Sequence, residues 1–501
     1  MNINKQSDQD KQEDAEELYW HLNHINDRLK SLKQYLADKI PATLLVLLQD
    51  QLAELNQSLV VLEDSARSPL LIYENRVRSL YKQLALAETI ESWHSPRLNV
   101  TFPLEDLSPL TIIPGYNDYE RGFVAYSKQF ADWFSHTYYG NLASTKKSLL
   151  FSSGMGAIQT TLQALAHRDS TLVLGQRCYY EMRGLVLQRG GDLFRTIYLL
   201  DEANQDEGYF KEQLARANLL YLDTTTLDQD ALRPDLAKIF SIIEAHNDLN
   251  CNIVLDNTIP GPELLLPAPP GNATVFIIES LLKYYQGGFD LGSAGVLTLY
   301  TNYENPKLFN RLESLRSANG TNINPFNARL LPCIPAELVK RRLQRLNRNA
   351  TIFAKYLSNI CRLSVLGYGG LIFAETDQPE LVLEIANLLV IAYQLYLMQG
   401  TSFGFNCTRI CVPPCSNGII RVAAGMEDYQ LASKIAKCLK MAFTAVKDAQ
   451  VVDLIPSWRR FFPDFPQQIQ PLKEQRLSFQ HFLKKFTQTI ESITDISLAS
   501  D

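Results

Sequence analysis

Val275-Phe276-Ile277-Ile278-Glu279-Ser280-Leu281-Leu282-Lys283-Tyr284-Tyr285-Gln286-Gly287-Gly288 joins an unbroken apolar run to a lysine and then to a pair of glycines. Four apolar residues without a polar interruption suit a strand covered on both faces. A lysine just past such a strand loses solvent, which depresses its pKa and makes its amine a nucleophile able to form an imine. The bland alternative is a surface lysine whose stem lies along apolar neighbours while its charge stays in water. Upstream, Val254-Leu255-Asp256-Asn257-Thr258 ends a second apolar run on an acid. The carboxyl end of a parallel strand is where open α/β sheets bind ligands. A carboxylate there needs a cation or hydrogen-bond donors, or else it serves as a cap for the next turn. Further upstream, Leu149-Leu150-Phe151-Ser152-Ser153-Gly154-Met155-Gly156-Ala157-Ile158 runs from a strand through small residues into a helix. Small side chains let an anion reach free backbone N–H groups at the positive end of the helix. The same small residues could also serve only to pack a crossover tightly.

These stretches sit in a series of short β-rich runs: residues 148–153, 171–174, 194–200, 219–222, 253–255, 275–278 and 295–299. Helical patterns such as 234–247 lie between several of them. Strands alternating with helices predict an α/β fold, a mainly parallel sheet with helices on both faces. We expect this large domain over 99–307, a smaller C-terminal α/β domain over 308–450, and a tail over 451–501 with a helix near 478–490. Before them lies a helical extension, 1–98. Leu22, Ile25, Leu29, Leu32 and Leu36 recur every three or four residues, as one helix face requires. Further helices are expected over 43–67 and 75–93. Residues 1–18 are polar and acidic and read as disordered.

The 501 residues carry a net charge of −6, with 46% hydrophobic and 20% charged residues, which is a globular composition. No basic tract points to nucleic acid. The longest apolar stretch, 381–398, is interrupted by Glu384, Asn387 and Gln394, so no membrane span is expected. The acidic N-terminus does not read as a secretory signal, which makes the cytoplasm the expected location. Eight cysteines are too few for a disulfide framework. The even spacing of Cys407, Cys411 and Cys415 raises a metal site, but Pro413 and Pro414 break the run and no histidine is near, so reduced thiols and no metal are expected.

Together and in this order, the three stretches resemble the Cys/Met-metabolism family of pyridoxal-phosphate (PLP) enzymes, which includes cystathionine synthases and lyases and methionine γ-lyase. The resemblance runs from about Tyr116 to Lys447. It implies fold type I, the aspartate-aminotransferase architecture, and PLP as cofactor, with Lys283 as the Schiff-base lysine. It further implies that Gly154, Met155 and Ser280 hold the cofactor phosphate and that Asp256 pairs with the pyridine nitrogen. Tyr180 falls where the family keeps the tyrosine that stacks on the ring. Arg421, in Arg421-Val422-Ala423-Ala424-Gly425-Met426-Glu427-Asp428, matches the arginine that grips the substrate carboxylate, and Ser402 matches the serine of a nearby turn. Tyr119 and Arg121 resemble a Tyr-x-Arg element that reaches a partner subunit's phosphate, which implies a homodimer or tetramer with shared sites.

The departures are specific. Leu282 stands where the family has a threonine, and Asp223-Thr224-Thr225-Thr226-Leu227-Asp228 replaces a motif whose asparagine touches the cofactor 3′-oxygen. The implied activity is a lyase or transferase that cleaves or replaces a β- or γ-carbon–heteroatom bond (C–S, C–O or C–halogen) of an amino acid, by elimination rather than replacement. The alternatives are an aminotransferase or decarboxylase of the same fold, and a catalytically silent scaffold worked through its helical front.

Overall fold

All seven predicted apolar runs become strands of one sheet. The computed structural model describes residues 3–36, 42–60, 69–89, 125–140 and 145–447, apart from 205, 246–250, 272, 302–304, 394, 415 and 417, together with 488. In chain order the elements are α1 (Ile3–Leu36), α2 (Ala42–Val60), α3 (Pro69–Thr89), α4 (Ala125–Tyr139), β1 (Thr145–Phe151), α5 (Gly154–Leu165), β2 (Thr171–Gly175), α6 (Tyr180–Leu193), β3 (Thr196–Leu200), α7 (Glu207–Leu214), β4 (Leu219–Asp223), α8 (Leu236–Ala245), β5 (Asn252–Asp256), β6 (Val275–Ser280) and β7 (Gly295–Thr301). They continue with α9 (Pro306–Ala318), α10 (Pro325–Leu330), α11 (Ala336–Leu357), β8 (Leu363–Val365), β9 (Leu371–Glu375), α12 (Pro379–Ala392), β10 (Met398–Gln399), β11 (Arg409–Cys411), β12 (Ile419–Ala423) and α13 (Tyr429–Lys447). The expected tail helix near 478–490 lies outside the described residues.

The large sheet has the order β1-β7-β6-β5-β4-β2-β3. Neighbours from β6 to β3 pair in parallel, and β7 runs antiparallel to both β6 and β1. Six strands therefore point one way, and their carboxyl ends share one edge. Side chains alternate between the two faces. Leu222, Leu255 and Ile277 join Phe130, Phe134, Ile239 and Phe240 of α4 and α8 on one side. Tyr221, Val254 and Ile278 join Ile158, Leu162, Met182 and Leu312 of α5, α6 and α9 on the other. Both faces are covered, which is why these strands read as continuous apolar runs.

The chain forms two compact units. One comprises residues 14–343, and the other residues 1–13 with 344–501. The larger unit runs past 307 because α9 packs on α5, and Arg316 donates to the carbonyl of Leu150 at 2.9 Å. The smaller unit carries a five-stranded sheet, β10-β11-β12-β9-β8, antiparallel except for the β10–β11 pair. Phe353, Ile372, Val422, Ile435 and Leu439 lie in its core.

The expectation that residues 1–18 are disordered is corrected: α1 begins at Ile3. Its polar residues are partnered rather than solvated. In the smaller unit Asp10 pairs with Arg348 at 2.5 Å and accepts the Tyr429 N–H at 2.9 Å, while Glu13 meets Arg345 at 2.9 Å. In the larger unit Glu17 meets Arg342 at 2.6 Å, with both side chains buried. Composition flagged polarity; the row of arginines on α11 that satisfies it lies more than three hundred residues away. Among the described residues no helix is long and apolar enough to cross a membrane.

Candidate active site

Three of the residues singled out in the sequence meet at the carboxyl edge of the large sheet. By strand alternation Asp256 shares a face with Val254, and Ser280 with Ile278, so both lie on the α5–α6 side. Asp223 lies on that side as well, two residues after Tyr221, and stands directly opposite Asp256 in the β4–β5 register. A short relay ties the ends together. The Thr258 N–H donates to Asp256 Oδ1 at 3.0 Å, and the Ser280 N–H donates to Thr258 Oγ1 at 3.0 Å.

The loop after β1 runs directly into α5, as the sequence suggested. Ser153 caps α5, its Oγ accepting from Gly156 N at 3.0 Å. The first-turn amides of Gly154 and Met155 have no acceptor within the helix. Space is kept tight around them. A Cβ at Gly295 would lie 2.4 Å from Ser153 C and O and 2.5 Å from Gly154 N, so only glycine lets β7 pass under the loop. A Cβ at Gly154 would come within 3.4 Å of Ser280 Cβ, which puts the helix start and Ser280 side by side. A small anion fits this cradle of backbone N–H groups and a hydroxyl.

Burial pushes the Asp256 carboxyl above the ordinary aspartate range; the Thr258 hydrogen bonds and the Lys283 ammonium pull the other way. Lys283, half-buried, is thus within electrostatic reach of Asp256. Asp223 is held well above its ordinary range by burial and by the neighbouring Asp256 charge, despite the Tyr179 N–H donated to its Oδ2 at 2.9 Å. Two carboxyls in register cannot both ionise cheaply, and the Asp256 charge adds to burial in raising Asp223. The Asp223 Oδ1 and Thr225 Oγ1 atoms are buried without a hydrogen-bond partner among the described residues. Asp256 keeps part of its surface open although its carboxyl is enclosed by protein. Orphaned polar atoms beside a partly open carboxylate suit a polar, cationic-edged ring such as a protonated pyridine.

Glu279, one residue before Ser280, faces the other side of the sheet. It accepts from Tyr139 and Tyr285, each at 2.6 Å, and burial pushes it up to about 7. Its hydrogen bonds are supplied on the face away from the site. Tyr180 is the first residue of α6 and half-buried; its hydroxyl donates to Glu181 at 3.1 Å. In the smaller unit Arg421 is buried in β12, and its guanidinium donates to the carbonyl of Thr401, which places it beside the turn of Ser402. Gly425 is explained by close approach, since a Cβ there would lie 2.4 Å from Cys407 C and Thr408 N. Glu427 accepts from Thr408 Oγ1 at 2.9 Å, and Asp428 caps α13. Tyr119 and Arg121 lie outside the described residues, as does Cys415. Cys407 and Cys411 are buried free thiols.

Sequence reasoning named Asp223 only as the start of a departure from the family motif, and it gave Thr258 no role of its own. Asp223 could have been found: it ends a predicted strand on an acid, as Asp256 does, and adjacent parallel strands bring such ends together.

A seven-stranded sheet of this topology, with a lysine, an acid and a helix N-terminus on one edge, is suited to an anionic, ring-bearing cofactor. The model of the Cys/Met metabolism PLP-dependent enzymes matches residues 135–391, just over half of the chain, and the chain belongs to that family. It is 25% identical over 230 residues to an L-methionine gamma-lyase of Pseudomonas deceptionensis, covering 46% of this chain and 55% of that protein. The chain thus spans about half the length of that relative. The cystathionine gamma synthase of Xanthomonas oryzae pv. oryzae superposes with a TM-score of 0.53 at 19% identity, covering 73% of this chain and 98% of that one. A Campylobacter jejuni protein with the same score and 18% identity, covering 65% and 87%, holds N′-pyridoxyl-lysine-5′-monophosphate. These likenesses establish the shared fold. PLP is the cofactor, and the cradle, the carboxylate and the lysine described above fit it.

Proposed function

We propose that this chain is a PLP-dependent lyase or transferase that cleaves a β- or γ-carbon–heteroatom bond of an amino acid, by elimination in preference to replacement. The observation that carries the proposal is Lys283 within electrostatic reach of Asp256, on the edge that also holds the Ser153–Met155 cradle. When bound, the cofactor supplies the electron sink that lets the substrate's α-proton leave. The chain's residues do the rest. The backbone N–H groups of Gly154 and Met155 and the Ser280 hydroxyl hold the phosphate. Asp256 holds a proton on the ring nitrogen. The Lys283 amine takes the α-proton and delivers it toward the β-carbon, a general acid–base role worth about 10²–10⁴-fold. Tyr180 covers the ring, and Arg421 grips the substrate carboxylate beside Ser402.

The same reading makes the protein a cytoplasmic homo-oligomer, a dimer or tetramer, in which Tyr119 and Arg121 of one copy serve the site of another. Carbon–sulfur and carbon–oxygen bonds are the intended scission points, in keeping with relatives named as an L-methionine gamma-lyase and an O-acetylhomoserine (thiol)-lyase. The experiment has two parts. Borohydride reduction of the cofactor-loaded protein and peptide mapping should label Lys283, and a label on another lysine would sink the assignment. Product trapping with sulfur- and oxygen-substituted amino acids should give a released thiol or acid together with ammonia and an oxo acid. An oxo acid formed by stoichiometric amino transfer, or carbon dioxide, would instead establish an aminotransferase or decarboxylase.

A further inference from the structure

The segment that follows Lys283 is held partly by its own hydrogen bonds and partly by the helical front. Gly287, Gly288 and Asp290 adopt φ of +60°, +72° and +53°. A left-handed aspartate is costly, and such backbone persists only where surroundings over-determine it. Part of that support is internal: Gln286 Oε1 accepts the N–H groups of Leu291 and Gly292 at 2.8 and 3.1 Å. The rest comes from the helical front. Arg78 of α3 donates from Nε to the Phe289 carbonyl at 2.5 Å and also bonds Glu74. His21 of α1 sets its ring edge-on to Phe289, with centroids 4.8 Å apart at 87°. His21 is itself fixed by the Tyr81 hydroxyl at 2.8 Å. The fit leaves no slack, because a Cβ at Gly287 would lie 2.5 Å from His21 Nε2.

We propose that α1 and α3 form a clamp on residues 284–292 that positions Lys283 for the cofactor, with His21 and Arg78 as positioning residues. Both helices precede residues 135–391, the part of the chain the family match covers. The front thus does work the family's own segment does not supply here. Lys283 stands four residues before Gly287, on the short stretch between β6 and the clamped turn, where Tyr284 is anchored by its hydroxyl to the Ile259 carbonyl at 2.6 Å. With one end fixed by the sheet and the other by the helices, the lysine has little freedom to drift from Asp256. The inference rests on the PLP reading above for its functional consequence and on geometry alone for the clamp itself.

The test uses the full-length protein with Arg78→Met, which keeps the stem and removes the donors. Arg76→Ala is the control; Arg76 lies on the same helix, is exposed, and pairs with Glu54. Three readouts are taken: hydrogen–deuterium exchange of peptides spanning 284–292 in cofactor-free protein, the Kd for PLP, and the pH midpoint of the bound cofactor's visible band. Arg78→Met should speed exchange and weaken PLP binding by roughly ten-fold each, the loss expected for one charge-assisted hydrogen bond. The midpoint should move, which a defect of stability alone would not cause, and Arg76→Ala should do none of this. Wild-type exchange and midpoint in Arg78→Met, or an equal change in Arg76→Ala, overturns the clamp. Should Arg78→Met fail to fold, His21→Gln is judged by the same three readouts. If the wild-type protein binds no PLP, the functional reading fails, while exchange in 284–292 still decides the clamp.

Discussion

The helical front and the sheet edge both bury carboxyl groups, and they treat them in opposite ways. In the front, Glu88 receives two bonds from Arg28, at 3.1 and 2.6 Å, and Glu17 meets Arg342 at 2.6 Å, with all four side chains buried. At the sheet edge, Asp223 and Asp256 face each other with no guanidinium beside them among the described residues, and Asp223 keeps an orphaned oxygen. A buried acid matched by an arginine is structural; its partner lies in the same chain. A buried acid set beside a second acid, a lysine and an orphaned oxygen suits a ligand site. The contrast separates support from site using polar satisfaction alone.

The largest effect should come from the lysine. Lys283→Ala should abolish turnover, a loss beyond the about 10²–10⁴-fold of a single general acid–base step, because attachment of the cofactor is lost as well. Steady-state assays and the visible spectrum check it together, and substantial activity in the variant would move the site elsewhere. On the structural side of the comparison, Arg28→Met strips Glu88 of its hydrogen-bonded guanidinium and leaves it only the more distant charge of Arg329, which costs about 3 kcal/mol. Denaturant unfolding should report that loss. A change within the ordinary surface range would mean that the front's ion pairs contribute little.

A middle-sized effect is expected at Arg421. Its buried guanidinium should hold a substrate carboxylate through charge-assisted bonds worth about 1.5–3 kcal/mol, so Arg421→Ala should weaken substrate capture by roughly 10–100-fold. Cofactor affinity should stay as in the wild type. Arg421→Lys should rescue only in part, since a point charge lacks the planar fork. Titrating amino acids while following the cofactor's spectrum measures this directly, and unaltered capture would leave Arg421 a structural residue of β12.

What could be read in advance follows the same division. The strands were legible because each is covered on both faces, so that Val275–Ile278 and Leu219–Leu222 carry their assignment within four residues. Lys283, Asp256 and the Ser153–Met155 loop were legible because each follows such a strand. The polar start of α1 was not, because Asp10 and Glu13 are satisfied by Arg348 and Arg345, far along the chain. Asp223 was passed over for a related reason. Its neighbour Asp256 is 33 positions on, and only the sheet register makes them a pair.

That pair gives the smallest effect and the sharpest test of the comparison. Asp223 has a folded-state pKa well above its ordinary value, through burial and the Asp256 charge. A raised carboxyl binds its proton more tightly in the folded chain than in the unfolded one. Its contribution to stability is therefore full below the ordinary aspartate pKa and is lost as pH rises through the raised value. Asp223→Asn keeps an oxygen to accept the Tyr179 N–H and removes the proton linkage. The variant should gain on the wild type as pH rises from about 4 toward neutrality. The cofactor-free protein is the sample to use, so that no ligand charge enters. In Glu17→Gln, by contrast, the pH trend should reverse. Arg342 holds Glu17 below its ordinary range, so that carboxylate stabilises the fold above its unfolded pKa and the benefit disappears as pH falls. Tm measured from pH 4 to 8 for wild type and both variants decides the matter. Opposite slopes would establish that one carboxyl is kept as an acid for the site and the other as a carboxylate for the fold, whereas parallel slopes would erase the distinction between the two regions.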